Sequence, residues 1–247
     1  MIKILVIGEK CTDKFIYCEA SRFSPEAPVP VLNPIETIEN EGMSGNVVRN
    51  LLSLNPNIVI THWYQDEPIV KTRFVEKKSN HMFIRFDEGE NKITPIELTN
   101  DLLSSISGFD IVIVSDYYKG FLSDDDIVLI GKNSKISILD SKRKLSKIIT
   151  DSYTFVKLNE KESVQNSELL ESKNILVTLG SKGTKFNEEI FPSPNPQETI
   201  DVSGAGDTFT ASFILKYIES GDIKSSIIWA NKMASIVVSK RGVATPN

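Results

Sequence analysis

The chain has 247 residues, of which 40% are hydrophobic and 25% are charged, and its formal net charge is -5. This length permits one sizeable domain with a full core, and the acidic balance argues against nucleic-acid binding through a general basic surface. Two cysteines and two histidines provide neither a disulfide framework nor a histidine-rich metal site, and no apolar run approaches the length of a membrane span. We therefore expect a cytoplasmic protein without a membrane or nucleic-acid partner.

Short apolar runs that alternate with helical segments predict an α/β fold, with a mainly parallel sheet flanked by helices. The first run, residues 2–7, is typical of a buried strand and ends at Gly8. Glu9 and Asp13 follow it, at the edge where open α/β sheets bind ligands, so both acids are candidate hydroxyl binders. Two solvated loop acids explain the same positions equally well.

Two extended segments, at about residues 16–38 and 71–87, are expected to form a small β lid within a single domain of residues 1–247. Prolines forbid a helix over much of the first segment. The second segment alternates polar and apolar residues around Ser79 and Asn80, which is a hairpin signal.

Helix starts are visible at three further places. Residues 41–46 open a helix that is predicted to run to about Leu54. Thr94, with a proline after it and a glutamate three positions on, predicts a helix from there to just before Gly108. Ser123 is placed to cap the next helix.

Four predicted strands each end in a polar cluster, at residues 115–120, 140–142, 159–162 and 178–183. One such cluster would be an ordinary loop. Because the carboxyl ends of parallel strands meet at one edge of a sheet, four of them predict a single crevice.

Residues 201–213 read DVSGAGDTFTASF, and the apolar positions from Phe209 onward recur at helical spacing. Gly204, Ala205 and Gly206 are therefore expected at a helix start, whose amide groups and dipole attract an anion. Asp207 would repel that anion unless its task is to take a proton from the attacking group, so the pattern indicates phosphoryl transfer. A capped helix with a glycine-rich turn is the plain alternative.

The D-x-x-GAGD-x-F pattern resembles the C-terminal signature of the ribokinase/PfkB carbohydrate kinases. The stretch SRFSPEAPVPV, residues 21–31, is similar to that of the bacterial heptose 7-phosphate kinases in this family, the kinase domain of bifunctional proteins of ADP-heptose synthesis for lipopolysaccharide. SDYYKG at 115–120 and DSK at 140–142 resemble the same subgroup. The likeness spans nearly the whole chain, apart from a deletion of several tens of residues, relative to the family, after about residue 55. This deletion is expected to shorten one edge of the sheet.

The resemblance implies a ribokinase-like fold and an ATP- and Mg²⁺-dependent kinase for the anomeric hydroxyl of a heptose 7-phosphate, with Asp207 as the base and the 204–206 amides as the anion hole. The implied nucleotide contacts are Asn159, Thr178, Gly180, Gly183 and Asn231, and the implied metal residues are Glu162 and Asn159. The implied substrate contacts are Asp13, Arg22, Gly42, Asn46, Arg85, Asp116, Lys119, Asp140 and Lys142. Lid edges often pair between subunits in this family, so a homodimer is expected.

Several alternatives stay open on the sequence alone. Met43 stands where the family carries the second glycine of a sugar-binding motif, so a kinase for another sugar is one alternative, and a non-catalytic interaction protein of the same fold is another. Taken without its neighbours, Glu162 is a solvated helix acid. Asn231 fits a plain exposed amide as well as a position near the adenine.

Overall fold

The computed structural model describes residues 1–194 and 200–246 of the chain. This part contains twelve strands and seven α-helices. The strands are β1 (Lys3–Ile7), β2 (Lys10–Phe23), β3 (Pro30–Met43), β4 (Val59–Trp63), β5 (Val70–Glu76), β6 (Met82–Glu88), β7 (Ile111–Asp116), β8 (Ser137–Ser141), β9 (Phe155–Asn159), β10 (Ile175–Thr178), β11 (Thr184–Phe186) and β12 (Glu189–Phe191). The helices are α1 (Ser44–Leu54), α2 (Asn100–Ile106), α3 (Asp124–Asn133), α4 (Lys147–Asp151), α5 (Glu160–Gln165), α6 (Ala205–Ser220) and α7 (Ile223–Val238).

The main sheet has the strand order β12-β11-β10-β9-β8-β7-β1-β4, and it is parallel from β10 to β4. Alternate residues of β1 enter two different cores, because successive side chains of a strand point to opposite faces. Ile4 and Val6 pack with α1, α6 and α7, whereas Leu5 and Ile7 pack with α3 and α4. Both faces are covered by helices, which explains the unbroken apolar run and confirms the predicted α/β fold.

A second sheet has the order β3-β2-β5-β6 and lies outside the main one, which confirms the small β lid. Its β2–β5 pair is parallel and its other two pairs are antiparallel. The β2–β3 ribbon begins at Lys10 and ends at Met43, so it reaches further toward the main sheet than residues 16–38. On β2 alternate residues are buried, among them Cys11, Asp13 and Phe15, and this face of the lid looks toward the body.

The helix predicted to start at Thr94 is wrong. The helix α2 begins at Asn100, where the side chain of Thr99 accepts a hydrogen bond from the amide of Leu102. The Thr94 hydroxyl instead donates to Glu67. Extended residues 93–98 place three apolar side chains against the core, and this tertiary burial overrides the local capping pattern. The capping box at Ser123 is confirmed.

Candidate active site

The first turn of α6 separates two cavities at the carboxyl edge of the main sheet. Ala205 and Gly206 line one cavity, together with the loops after β10, whereas Gly204 and Asp207 line the other, beneath the lid. The helix begins at Ala205, and Gly221 ends it in a left-handed conformation. The amide of Ala205 donates to the carbonyl of Val202 at 3.3 Å, so one of the three predicted anion-hole amides is already engaged.

Neighbouring side chains explain why small residues stand at this helix start. Gly204 has a φ of +80°, and a Cβ there would lie 2.6 Å from Nδ2 of Asn46. A Cβ on Gly206 would lie 3.0 Å from Nζ of Lys157, a lysine that is only 2% exposed. Larger residues would therefore displace polar groups that surround Asp207.

Asp207 is a buried carboxylate with two hydrogen-bond donors from different parts of the chain. Nδ2 of Asn46 donates to Oδ2 at 2.9 Å, and the Tyr117 hydroxyl donates to Oδ1 at 3.1 Å. Burial raises the pKa of Asp207 from 3.8 to about 6; the hydrogen bond from Asn46 opposes this rise, nearby Asp140 adds to it, and Lys157 and Tyr117 oppose it. A carboxylate whose pKa approaches neutrality is suited to accept a proton in catalysis.

The lid cavity brings together cations and acids from both sheets. Of the predicted substrate residues, Asp13 and Arg85 line it directly, while Asn46 contacts Asp207 beside it and Gly42 packs against Asp13. The lining residues are Cys11, Asp13, Met43, Lys71, Arg73, Arg85, Tyr117, Ser203, Gly204, Asp207 and Val243.

Sequence reasoning missed two of these cations, Lys71 and Arg73. Both lie on β5, where Lys71 pairs in register with Asp13 of β2 and Arg73 forms an ion pair with the same aspartate. Residues two apart on a strand share a face, so the alternation of residues 71–75 carried the signal. The sequence does not show that this face of β5 points into the lid cavity.

Met43 has a φ of +55°, in the left-handed region that favours glycine. This conformation gives a physical reason for a glycine at this place in the sugar-binding motif. The side chain of Met43 is 3% exposed and packs with Cys11 and Ile69 at the wall of the lid cavity. We infer that the cavity is narrower here than with a glycine.

Asp116 and Arg22 do not reach the lid cavity. Asp116 is fully buried, and it accepts hydrogen bonds from Nε and Nη2 of Arg143 at 2.7 and 2.9 Å and from the amide of Tyr118. Arg22 is exposed near the far end of β2, roughly 30 Å along the strand from Asp13 at about 3.3 Å per residue. Both were predicted to contact substrate, but Asp116 holds Arg143 instead and Arg22 lies outside the residues that line this cavity.

The basic residues after β7 and β8 are held by acids. Nζ of Lys119 lies 2.5 Å from Oε2 of Glu90, whose other oxygen contacts Nζ of Lys71. Nζ of Lys142 lies 2.5 Å from Oε1 of Glu162. Each lysine at the crevice edge is therefore already paired with a carboxylate. An anionic ligand must either displace that carboxylate or bind the lysine beside it.

Four of the five predicted nucleotide residues lie around the other cavity, whereas Asn159 is not among its lining residues. Thr178, Gly180, Gly183 and Asn231 all line it, and both glycines have positive φ angles. Asn231 is only 5% exposed, so the interpretation as a plain exposed amide is wrong. Its amide donates to the carbonyl of Phe191 at 2.9 Å, and its Oδ1 accepts from a neighbouring threonine hydroxyl, so Asn231 also fixes the cavity wall.

Asn159 and Glu162 form a capping box at the start of α5. Glu162 accepts from the amide of Asn159 at 2.7 Å and is 5% exposed, so the interpretation as a solvated helix acid is wrong. The described residues contain no group of three potential acidic, cysteine or histidine ligands. Oδ1 of Asp140 is buried and has no hydrogen-bond partner among them. These side chains suit an Mg²⁺ ion that is bound largely through its own water ligands. They do not suit an ion that is coordinated by protein groups alone.

A family model of pfkB family carbohydrate kinases matches residues 62–247. The chain belongs to this family. It is thus a sugar kinase, which transfers a phosphoryl group to an alcohol group. It is similar to the bifunctional protein HldE of Helicobacter pylori strain J99, with 31% identity over 99% of this chain and 64% of the relative. HldE of Campylobacter curvus is 29% identical over 100% of this chain and 63% of the relative.

The kinase chain therefore spans slightly less than two thirds of these relatives. The first alignment extends over 297 positions for a chain of 247 residues, so the relative carries at least about fifty residues without a counterpart here. Solved structures with the same fold include ribokinase of Arabidopsis thaliana complexed with ribose and ATP, with TM-score 0.73, 17% identity and coverage of 98% and 94%. Ribokinase of Thermotoga maritima has TM-score 0.74 and 18% identity, with coverage of 98% and 95%.

Proposed function

We propose that this kinase uses ATP and Mg²⁺ to phosphorylate the anomeric hydroxyl of a heptose 7-phosphate, giving the 1,7-bisphosphate of ADP-heptose synthesis. The observation that carries the proposal is Asp207, a buried acid with a pKa of about 6 that stands between the two cavities. The likeness of residues 21–31 to heptose kinases and the HldE relatives support the choice of sugar.

The chemistry of the site follows from its own residues. Asp207 accepts the proton of the sugar hydroxyl, and the amides at the start of α6 stabilise negative charge on the transferring group. Thr178, Gly180, Gly183 and Asn231 would hold the nucleotide. ATP, when bound, supplies the phosphoryl group, and Mg²⁺ neutralises its charge. Glu162 and Asn159 would orient the water ligands of the ion.

The lid cavity also offers cations that would recognise the 7-phosphate of the proposed sugar. Lys71, Arg73 and Arg85 line it from β5 and β6, and Asp207 lines the same cavity. Arg85 donates from Nε and Nη2 to Asp87, at 2.7 and 2.6 Å, which fixes the plane of its guanidinium. A phosphate would bind at the other edge of the guanidinium, through Nη1 and the second N–H of Nη2, in the same two-point geometry.

Arg85→Ala is expected to raise the KM for the sugar phosphate by about 10-fold or more, because a hydrogen bond to a charged group is worth about 1.5–3 kcal/mol. The KM for ATP should stay within twofold. Steady-state kinetics with each substrate varied checks this. Arg22→Ala is the matched control, because Arg22 is an exposed lid arginine outside the cavity. Equal effects of the two changes on the sugar KM would count against the phosphate role of Arg85.

A substrate panel tests the proposed sugar. Heptose 7-phosphate, fructose 6-phosphate and ribose are compared by ATP turnover, with kcat/KM as the readout. We expect a clear preference for heptose 7-phosphate, and equal turnover of all three would overturn the assignment. The buried Met43 in the cavity wall favours a second candidate, a kinase for another sugar that fits the narrower cavity.

Glu162→Gln should raise the Mg²⁺ concentration needed for half-maximal kcat without abolishing turnover. The change keeps the size of the side chain but removes its charge, which leaves Nζ of Lys142 without its carboxylate. A Mg²⁺ titration of kcat measures the effect. Glu160→Gln is the control, because Glu160 is an exposed acid in the same helix turn. An unchanged Mg²⁺ dependence would restrict Glu162 to capping α5.

We propose a homodimer through the outer face of the lid. Met82, Ile84 and Phe86 alternate along β6, the edge strand, and are 48%, 55% and 54% exposed. Light scattering should show a dimer that Ile84→Lys weakens, whereas Ile148→Lys, at an equally exposed isoleucine on α4, should not. A monomer at micromolar concentration would reject the dimer.

No helix in residues 1–194 and 200–246 has the length and apolar character of a membrane span.

A further inference from the structure

The orientation of Asp207 depends on two donors that approach its two oxygens from different sides. Asn46 belongs to α1, and Tyr117 belongs to the loop after β7. Two hydrogen bonds to the two oxygens fix the plane of the carboxylate, whereas one bond would leave it free to rotate. The family motif suggested a role for Asn46, but nothing in the sequence analysis gave one to Tyr117.

The ring of Tyr117 is held among residues of the cavity wall. It packs against the cluster of Cys11, Met43 and Ile69, and Nζ of Lys142 lies 5.6 Å from its centroid. Its hydroxyl therefore has little freedom to leave Asp207.

The backbone of the same loop is fixed by Glu9, which is fully buried. Oε2 of Glu9 accepts from the amide of Tyr117 at 2.8 Å, and Oε1 accepts from the amides of Lys119 and Phe121 at 2.8 and 3.3 Å. Positive φ angles at Tyr118 and Gly120 turn these amides toward one side. Such an array of amides binds an anion, and here the anion is part of the protein. Both earlier interpretations of Glu9, as a hydroxyl binder and as a solvated acid, are therefore wrong.

We propose that Tyr117 is a positioning residue for Asp207 and that Glu9 acts through Tyr117 by fixing the loop that carries it. The proposal rests on the proposed function of Asp207 as the base. A base must present an oxygen lone pair to the sugar hydroxyl, and small misplacements of reacting groups are costly. Loss of the tyrosine hydroxyl removes a donor that stabilises the charged form of Asp207.

Several other groups act on the same carboxylate. Burial and Asp140 raise the pKa of Asp207, whereas Asn46, Lys157 and Tyr117 lower it. The titratable and charged groups around it are Cys11 and Asp13 on β2, Lys71 and Arg73 on β5, Arg85 on β6, Tyr117 after β7, Asp140 and Lys142 at the end of β8 and Lys157 on β9. None of the other groups is altered by removing the Tyr117 hydroxyl, so Tyr117→Phe isolates a single contact.

The experiment compares Tyr117→Phe with the wild type in the pH dependence of kcat/KM. The acid limb, which reports the base of the free enzyme, should move up by about one pH unit, and kcat should fall by about 10-fold. Tyr118→Phe is the matched control, because it removes the same atom from the adjacent tyrosine, which is 63% exposed. An unmoved acid limb in Tyr117→Phe, or an equal shift in Tyr118→Phe, would overturn the proposal.

Carbon-13 NMR titration of the Asp207 carboxyl provides a readout that needs no turnover. The pKa of Asp207 should rise in Tyr117→Phe. In Glu9→Gln it should rise too, and the double variant should shift no further than Tyr117→Phe alone, because Glu9 acts through Tyr117. Additive shifts would remove Glu9 from the proposal. If the wild type phosphorylates no sugar of the panel, the proposed function fails, while this titration still supports or overturns the positioning of Asp207. If Glu9→Gln does not fold, Glu9→Asp replaces it.

Discussion

Replacing Asp207 by asparagine is expected to lower kcat by about 10²–10⁴-fold, the usual contribution of a general base. Asparagine keeps the shape of the side chain. Its oxygen can still accept from Nδ2 of Asn46, and its amide can donate to the Tyr117 hydroxyl, so the local hydrogen bonds have a counterpart. Binding of ATP should be largely kept. Single-turnover kinetics measures the chemical step directly.

The same substitution should leave the protein at least as stable at pH 8. The pKa of Asp207 is raised by burial from 3.8 to about 6, so the folded state holds a proton that the unfolded state releases between these values. Stability from this group is fully present below about pH 4 and is lost as the pH rises through about 6. The neutral asparagine avoids that loss, and we expect a gain of about 1–3 kcal/mol at pH 8 that disappears near pH 4.

A helix-capping acid would behave in the opposite way, and the chain contains one. Asp222 caps α7 by accepting from the amide of Ser225 at 2.9 Å. Asp222→Ala should lower Tm slightly and leave kcat unchanged, since replacing a capping residue by alanine costs about 1 kcal/mol, whereas Asp222→Asn keeps a good cap and should change neither. If Asp207→Asn shows that same pair of results, Asp207 is only a residue of a capped turn, and the proposed mechanism is wrong.

Replacing Asp116 by alanine should lower the free energy of unfolding by about 3–5 kcal/mol, the usual effect of removing one partner of a buried ion pair. Arg143 is 4% exposed and donates to Asp116 from two nitrogens. Its other charged contact, Asp124, has a side chain that is 69% exposed. The substitution therefore leaves a buried guanidinium that keeps a solvated carboxylate, Asp124, and the carbonyl of Leu122 as partners. Urea unfolding monitored by circular dichroism gives the change.

Asp125→Ala is the matched control for this change, because Asp125 is an exposed acid beside Asp124 in the first turn of α3. It should move the unfolding midpoint little. The outcome that would contradict the structural role is a large rise in the sugar KM for Asp116→Ala with an unchanged midpoint. That result would return Asp116 to the substrate contacts first expected from the motif.

The fold was predictable because its main signals are local and repeated. Apolar runs of four to six residues marked the buried strands, and the strand-end rule placed Asn159 and Thr178 at one edge of the sheet. The start of α2 was not predictable, because Thr94 carries a good local cap that loses to burial of residues 93–98. A local capping pattern does not show which segment of the chain will pack against the core.

The site was predictable only where a motif and a strand end coincide. Lys71 and Arg73 were missed because their face is set by register with β2, a pairing between distant segments. Asp116 was assigned to substrate from the resemblance of its motif; its partner Arg143 lies 27 residues away, and a sequence does not show which acid a buried arginine will bind. The interpretations of Glu9 were wrong for the same reason, since its three partners are backbone amides of a distant loop.

The ribbon of β2 and β3 has no flexible loop at its base. Only Gly8 and Glu9 separate β1 from β2, and β3 passes from Met43 directly into α1. Such short connections leave the ribbon little freedom to move by itself, so we expect a tilt of the ribbon to move the first turn of α1 as well. That turn carries Asn46, which holds Asp207. We therefore expect that a tilt of the lid would also shift Asn46 and, through it, the carboxylate of Asp207, the proposed base.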